Sequence, residues 1–258
     1  MTPYQLWTSF YTIVRKDAVR IVRIWPQTFL PSIVTSVLYF LVFGSVLGSR
    51  IGEIGGFDYI HFVVPGLVML AVVTNSFSNV ATVMFQSKFF ARSIDEILVS
   101  PTPPSIIIAG FIASGMARGI VIGFLVLLVS MFFALPPLAH PLIILAFLIL
   151  ASLVFALAGL VNGIVAKSFD GITIVPTFVL TPLVYLGGVF YSIHDLPSWW
   201  YTITIFDPIF YIINGFRYGF LGITDVPIAL CFGVLGVLIT LGIAINWYFL
   251  RIGLGLRQ

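Results

Sequence analysis

Residues 142–165 read LIILAFLILASLVFALAGLVNGIV, 24 consecutive positions without a charged side chain. A helix rises 1.5 Å per residue, so about 20 apolar residues cross the hydrocarbon core of a bilayer. Working outward, further apolar runs cover 29–47, 60–83 and 106–133 before this stretch, and 172–190 and 229–250 after it. None has the apolar–polar alternation of a membrane barrel strand, so the spans are read as helices. Composition agrees: 60% of residues are hydrophobic, 8% are charged and the mean hydropathy is +1.16. Soluble domains carry about 25% charged residues. The reading is an all-α integral membrane protein with six transmembrane helices. Six spans of about 20 residues leave only loops and ends, with no folded soluble domain among them.

Residues 1–27 lack the compact apolar region and small-residue cleavage site of a signal peptide. Trp7, Phe10, Val14, Ala18, Ile21 and Trp25 recur at helical spacing, while Lys16, Arg20 and Arg23 share another face. That pattern fits an amphipathic interface helix over 1–27, ahead of a membrane domain over 28–258. A basic anchor that only fixes topology fits equally well. Nine cationic residues (Arg15, Lys16, Arg20, Arg23, Lys88, Arg92, Lys167, Arg251 and Arg257) fall on the side of both termini. Only Arg50 and Arg217 fall on the other side, so both termini are expected in the cytoplasm. The net charge of +3 comes with no Lys/Arg-rich run, which gives nucleic-acid binding no support. The lone Cys231 reads as a small packing residue.

The segment 191–226 is apolar but interrupted by Pro197, Asp207-Pro208, Arg217 and Asp225, and it carries the cluster Trp199-Trp200-Tyr201. It reads as one or two re-entrant or interfacial helices on the outer side. A seventh span would place Arg251 and Arg257 outside and is the weaker choice.

Ionisable residues inside spans are costly and mark function. None of the nine acidic residues lies in an apolar run, Asp17 being assigned to the cytoplasm, and this disfavours an ion-coupled carrier. No catalytic or metal-ligating set appears. An outer-face enzyme site from His61, His140 and His194 has no specific pattern behind it. Arg118 is the only charge in a run, and reads either as an anion contact or as an arginine snorkelling to an interface. Gly115, Gly119 and Gly123 repeat every fourth residue around it, a face suited to close helix packing. Two polar stripes are candidate linings of a path: Asn75, Ser78, Asn79 and Thr82 in the second run, and Thr173, Thr177, Thr181 and Tyr185 in the fifth. Helix–helix hydrogen bonding accounts for them as well. Pro176 and Pro182 should kink the fifth run.

The cytoplasmic loop 84–105 contains QSKFFARSIDEILVSPTPP at 86–104. Ser93 with Glu96 three residues on is a capping-box pattern, and Ile94, Ile97 and Leu98 give the short helix an apolar side. Pro101, Pro103 and Pro104 stop it. A short amphipathic helix facing the cytoplasm suits a docking element.

Here the sequence resembles the ABC-2-type permeases of ATP-binding-cassette transporters, and looks most like the small bacterial members. The likeness rests on the amphipathic N-terminal helix, SIDEILVSP at 93–101, PLVYLGGVFY at 182–191 and DPIFYIINGFR at 207–217. It implies a bacterial inner-membrane permease working as a homodimer, with two copies of a separate ATPase subunit that binds ATP and Mg. It implies that the element Arg92–Pro101 (Arg92, Ser93, Ile94, Asp95, Glu96, Ile97, Leu98 and Pro101) is the coupling helix. No G-x-x-x-x-G-K-[ST] loop occurs; Lys167-Ser168 has the right ending but Ala166 stands where glycine is required. The expected function is therefore that of a non-enzymatic permease subunit of an ATP-driven exporter, its path lined by Asn75, Asn79, Arg118, Thr177, Thr181 and Tyr185. Asp207, Pro208 and Arg217 are the candidate outer gate. A stand-alone carrier or channel is the alternative.

Overall fold

The computed structural model describes residues 1–90, 93–193 and 197–253. Its fold is almost wholly helical. Six helices are long and apolar enough to cross a membrane: Trp25–Gly44, Tyr59–Phe89, Pro104–Ser130, Pro141–Val165, Phe169–Leu186 and Ile228–Ile252. They match the six apolar runs, with the second extended at its C-terminal end. The polar residues Gln86, Ser87 and Lys88, read as loop, continue that helix. Lys88 explains why: its Nζ donates to the carbonyls of Ile164 (2.6 Å) and Ala166 (3.1 Å). A cation there satisfies the open end of the fourth span and complements its dipole.

The second span is central, with 67% of its apolar window buried, against 11% for the sixth. It packs on both the third and fourth spans. The expected glycine face mediates the first contact: a Cβ at Gly115, Gly119 or Gly123 would run into Val80, Ser76 or Val72. Gly159 and Gly163 do the same for the fourth span, lying against the carbonyls of Phe77 and Ala81. Such close approach is how spans associate where lipid is as apolar as the side chains.

The first and fifth spans flank this core, and each contains a wider π-helical stretch, Phe40–Leu47 and Pro176–Leu180. In the fifth, the Thr181 hydroxyl donates to the carbonyl of Pro176 (2.8 Å), so the expected proline distortion takes this form. Between the first and second spans a two-residue hairpin pairs Glu53–Ile54 with Phe57–Asp58. Gly55 and Gly56 both have positive φ, as its tight turn demands.

The helix Pro3–Arg23 runs alongside the third span rather than apart from it. Ser9 meets Thr102 (3.4 Å), and Ile13 covers Gly110. Its Trp7, and Trp25 at the start of the first span, remain exposed, as an interface position requires. Arg20, read as facing headgroups, is instead turned into the protein by the contacts described below.

Candidate coupling helix and polar tract

The short helix between the second and third spans is Ser93–Val99. Arg92 lies outside the described residues, as does the side chain of Leu98. Ile94 is fully buried in a cluster with Met84, Ile107 and Ile108, and Ile97 packs against it. The apolar side therefore anchors the helix to its own membrane domain instead of facing outward. Asp95, Glu96 and Val99 are exposed, Val99 at 88%. Ser100 Oγ donates to the Ile97 carbonyl (2.6 Å) and to Thr102 Oγ1 (2.8 Å), closing the helix ahead of the exposed Pro101. Ser93 opens the helix, and its Oγ accepts from Lys16 Nζ (2.7 Å), a tie to the N-terminal helix.

From the next residue on, the N-terminal helix enters a buried polar cluster. Asp17, assigned to the cytoplasm from sequence, is only 4% exposed. Its carboxylate accepts from Arg20 Nε (2.7 Å) and Asn79 Nδ2 (3.1 Å). Asn79 Oδ1 accepts from Arg20 (2.8 Å) and from Arg118 (3.2 Å). Arg118 also reaches Asn75 Oδ1 (3.5 Å), and Asn75 donates to Ser32 of the first span (3.3 Å). Arg118 is thus hydrogen-bonded inside the bundle rather than snorkelling. Ser114, ten residues and about 15 Å along the third span from Pro104, touches Asn79 as well.

Two cavities flank this cluster. At one end a cleft of about 770 Å³ lies between the N-terminal helix, the second and third spans and the candidate coupling helix. Lys16, Asp17, Arg20, Glu96 and Ser114 are among its lining residues. A smaller cavity of about 210 Å³ separates the first and second spans, lined by Ser32, Thr35, Tyr39, Thr74 and Asn75 among others. Asn75 belongs to both cluster and cavity. From there Tyr39 shares a hydroxyl hydrogen bond with Tyr185 of the fifth span (2.9 Å). Asn75, Asn79 and Arg118 are therefore brought together, while Thr177 and Tyr185 lie on an exposed face of the fifth span with the half-buried Thr181. Lys16, Asp17, Arg20, Ser32 and Tyr39 were missed in the sequence. The acid–base pair three residues apart in the first helix was the signal available for Asp17 and Arg20.

The model of the ABC-2 type transporter family matches residues 8–221, most of the chain. The chain belongs to that family. It is 50% identical over 253 residues to the inner membrane transport permease YadH of Escherichia coli strain K12, covering 98% of each chain. Nodulation protein J of Rhizobium meliloti strain 1021 is 28% identical over 225 residues, covering 82% of each. That of Rhizobium leguminosarum bv. viciae is 24% identical over 241 residues, covering 88% of this chain and 89% of its own. As an ABC-2 protein the chain is the membrane subunit of an ABC transporter, a transport component rather than a catalyst.

The ABC-2 match also takes in the outer segment, where the helices Ser198–Phe206 and Pro208–Leu221 sit. The second of these is buried against the second, fourth and sixth spans. Asp207 caps it, Oδ1 accepting from the Ile209 N–H (2.8 Å), with Pro208 at the first helical position. Arg217 is buried, donates to the Gly188 carbonyl (2.6 Å) and stacks its guanidinium on Phe62 at 3.7 Å. Asp207 and Pro208 start this helix, and Arg217 fastens it to the bundle. His61 lies against Asp58 (3.7 Å) and His140 stacks on Tyr218; His194 lies outside the described residues.

Burial pushes the Asp207 carboxyl up to about 6, against the lowering effect of the Ile209 N–H. A carboxyl raised above its unfolded value holds extra protons in the folded state. Its contribution is greatest below about pH 4, and falls as pH rises to about 6. Asp207→Asn keeps the cap acceptor without the charge. Its melting temperature should gain on the native protein as pH rises from 4 to 6 and hold a constant lead above. Thermal melting across pH reads this, and a pH-independent difference would contradict it.

Proposed function

We propose that two copies of this chain form the membrane pathway of an ATP-driven exporter, each docked to a separate ATP-binding-cassette ATPase at Asp95, Glu96 and Val99. ATP and Mg are bound by that partner. The observation carrying this reading is the coupling helix itself, which is anchored by Ile94, acidic outside, and tied by Lys16 to the helix that enters the buried cluster. Closure of the ATPase pair would move this helix and shift the spans between two states. Asn75, Asn79 and Arg118 would line the path, with Thr177, Thr181 and Tyr185 facing the second copy. Asp207, Pro208 and Arg217 would hold the outer closure. Both termini would lie in the cytoplasm and the chain in a bacterial inner membrane, as the name of the Escherichia coli relative suggests.

The test is capture of the tagged chain from its native membrane in mild detergent, with partners identified by mass spectrometry. A stoichiometric ATPase subunit is expected. A gradient-driven carrier working alone is the second reading, favoured by the buried Asp17, since carriers use intramembrane acids to bind coupling ions. A chain recovered alone even after cross-linking would establish that reading instead.

A further inference from the structure

Asp207 is the single residue between the two helices that precede the sixth span: it ends Ser198–Phe206 and caps Pro208–Leu221. It is only 3% exposed. Oδ1 accepts from the Ile209 N–H, but Oδ2 is buried without a hydrogen-bond partner. Among the described residues no cation pairs with it. Arg217, the one cation on the second helix, is engaged by the Gly188 carbonyl and the charge of Asp225 instead. Tyr191, on the segment after the fifth span, is the titratable group that faces Asp207. On the helices themselves, the Tyr211 hydroxyl donates to the Ile205 carbonyl (2.9 Å), and Tyr201 lies on the exposed side of the first helix. Burial holds Tyr191 and Tyr211 above the ordinary phenol range, so neither carries charge at neutral pH or below.

A neutral carboxyl tolerates this site and a carboxylate does not. Ionised, Oδ2 would carry charge with no donor and almost no water, so the group must bind a proton or reach solvent. The same burial holds the carboxyl at about 6 instead of its ordinary value near 4. The two helices are unequally held. Pro208–Leu221 is buried over most of its length. In Ser198–Phe206 only Thr204 is buried, its Oγ1 also without a partner, while Trp199, Tyr201, Ile203 and Phe206 are exposed. Where the joint must take up water, the helix with few buried apolar contacts yields first.

We infer that Asp207 is an acid lock on this joint. Protonated, it stays buried and Ser198–Phe206 stays docked. Deprotonated, it turns to water, and that helix swings away from the bundle about the extended backbone at Asp207 (φ −79°, ψ 116°). The direction follows from linkage. The packed joint binds the proton more tightly than the hydrated joint does, so its population falls as pH rises from about 4 to about 6 and is constant above. The lock sets the pH at which the outer closure proposed above opens, and rests on that reading.

The test is hydrogen–deuterium exchange of the full chain in nanodiscs from about pH 4 to about pH 7.5, read by mass spectrometry. Each rate is divided by that of the unstructured peptide at the same pH, which leaves the protection due to structure. Protection over 198–206 is expected to fall by up to about a hundredfold, the two-unit difference between a packed and a hydrated carboxyl, and to level off above about pH 6. Protection over 228–252 should stay constant. Asp207→Asn keeps the cap acceptor without a charge, and should hold 198–206 at its acid-pH protection throughout. Protection over 198–206 that ignores pH would overturn the lock, as would a pH response that survives in Asp207→Asn or a parallel fall over 228–252. The assay needs no ATPase: failed capture would remove the exporter reading, whereas flat exchange beside intact capture would remove the lock alone.

Discussion

Reversing Asp95 and Glu96 together to lysine is expected to reduce co-purifying ATPase at least about tenfold, a loss within reach of interface charge pairs. Both side chains are exposed, Asp95 on the free side of the helix and Glu96 at the edge of the cleft, so the change falls on the proposed docking face. Ile94 stays buried against Met84, Ile107 and Ile108, and the bundle keeps its fold. Ile97→Pro attacks the same element by another route. Proline inside a helix removes a hydrogen bond and clashes with the preceding turn, costing about 3 kcal/mol or more, which exceeds what a seven-residue helix gains alone. The chain should then still reach the membrane, yet ATP hydrolysis in the complex should lose its response to transport. Capture ratios and ATPase rates in nanodiscs read the two effects. Native capture in the lysine variant would remove the docking face from Asp95 and Glu96.

Gly159→Val should strongly damage the packing of the second and fourth spans. A Cβ at this position would strike the main-chain carbonyl of Phe77, and backbone yields less readily than a side-chain tip. The second and fourth spans would have to separate, for an overpacking cost of about 3 kcal/mol. At about 2–4 °C per kcal/mol for a chain of this size, the melting temperature drops by roughly 10 °C. Gly233→Ala is the control, since a Cβ there meets nothing within 4 Å. Size-exclusion profiles and melting curves in detergent decide the matter. Equal behaviour of the two variants would refute the packing described here.

The spans were legible because charge-free runs of membrane length have few other uses, and Gly115, Gly119 and Gly123 because small residues four apart mark one helix face. Gly159 and Gly163 carry the same spacing inside the quoted stretch 142–165 and could have been read from it. What stayed hidden depended on long-range partners. Asp17 and Arg20 lie in a short amphipathic segment, and nothing local says that Asn79, about sixty residues on, will receive them. Arg118 was ambiguous for the same reason: its depth is set by Asn75 and Asn79 on another helix. Ile94 and Ile97 did show an apolar side, but periodicity does not say whether that side meets a partner or the chain's own spans. Here the spans take it, and the acidic side is left exposed.

The most direct measurement places a photo-activated benzoylphenylalanine at Val99, the exposed end of the coupling helix, in cells that carry the native membrane. Illumination is expected to give one dominant adduct containing an ATP-binding-cassette ATPase, absent when the same group stands at Leu142, which is exposed at the opposite end of the bundle. An adduct at Val99 with lipid alone, or the same adducts from both positions, would contradict ATP-driven coupling through this helix.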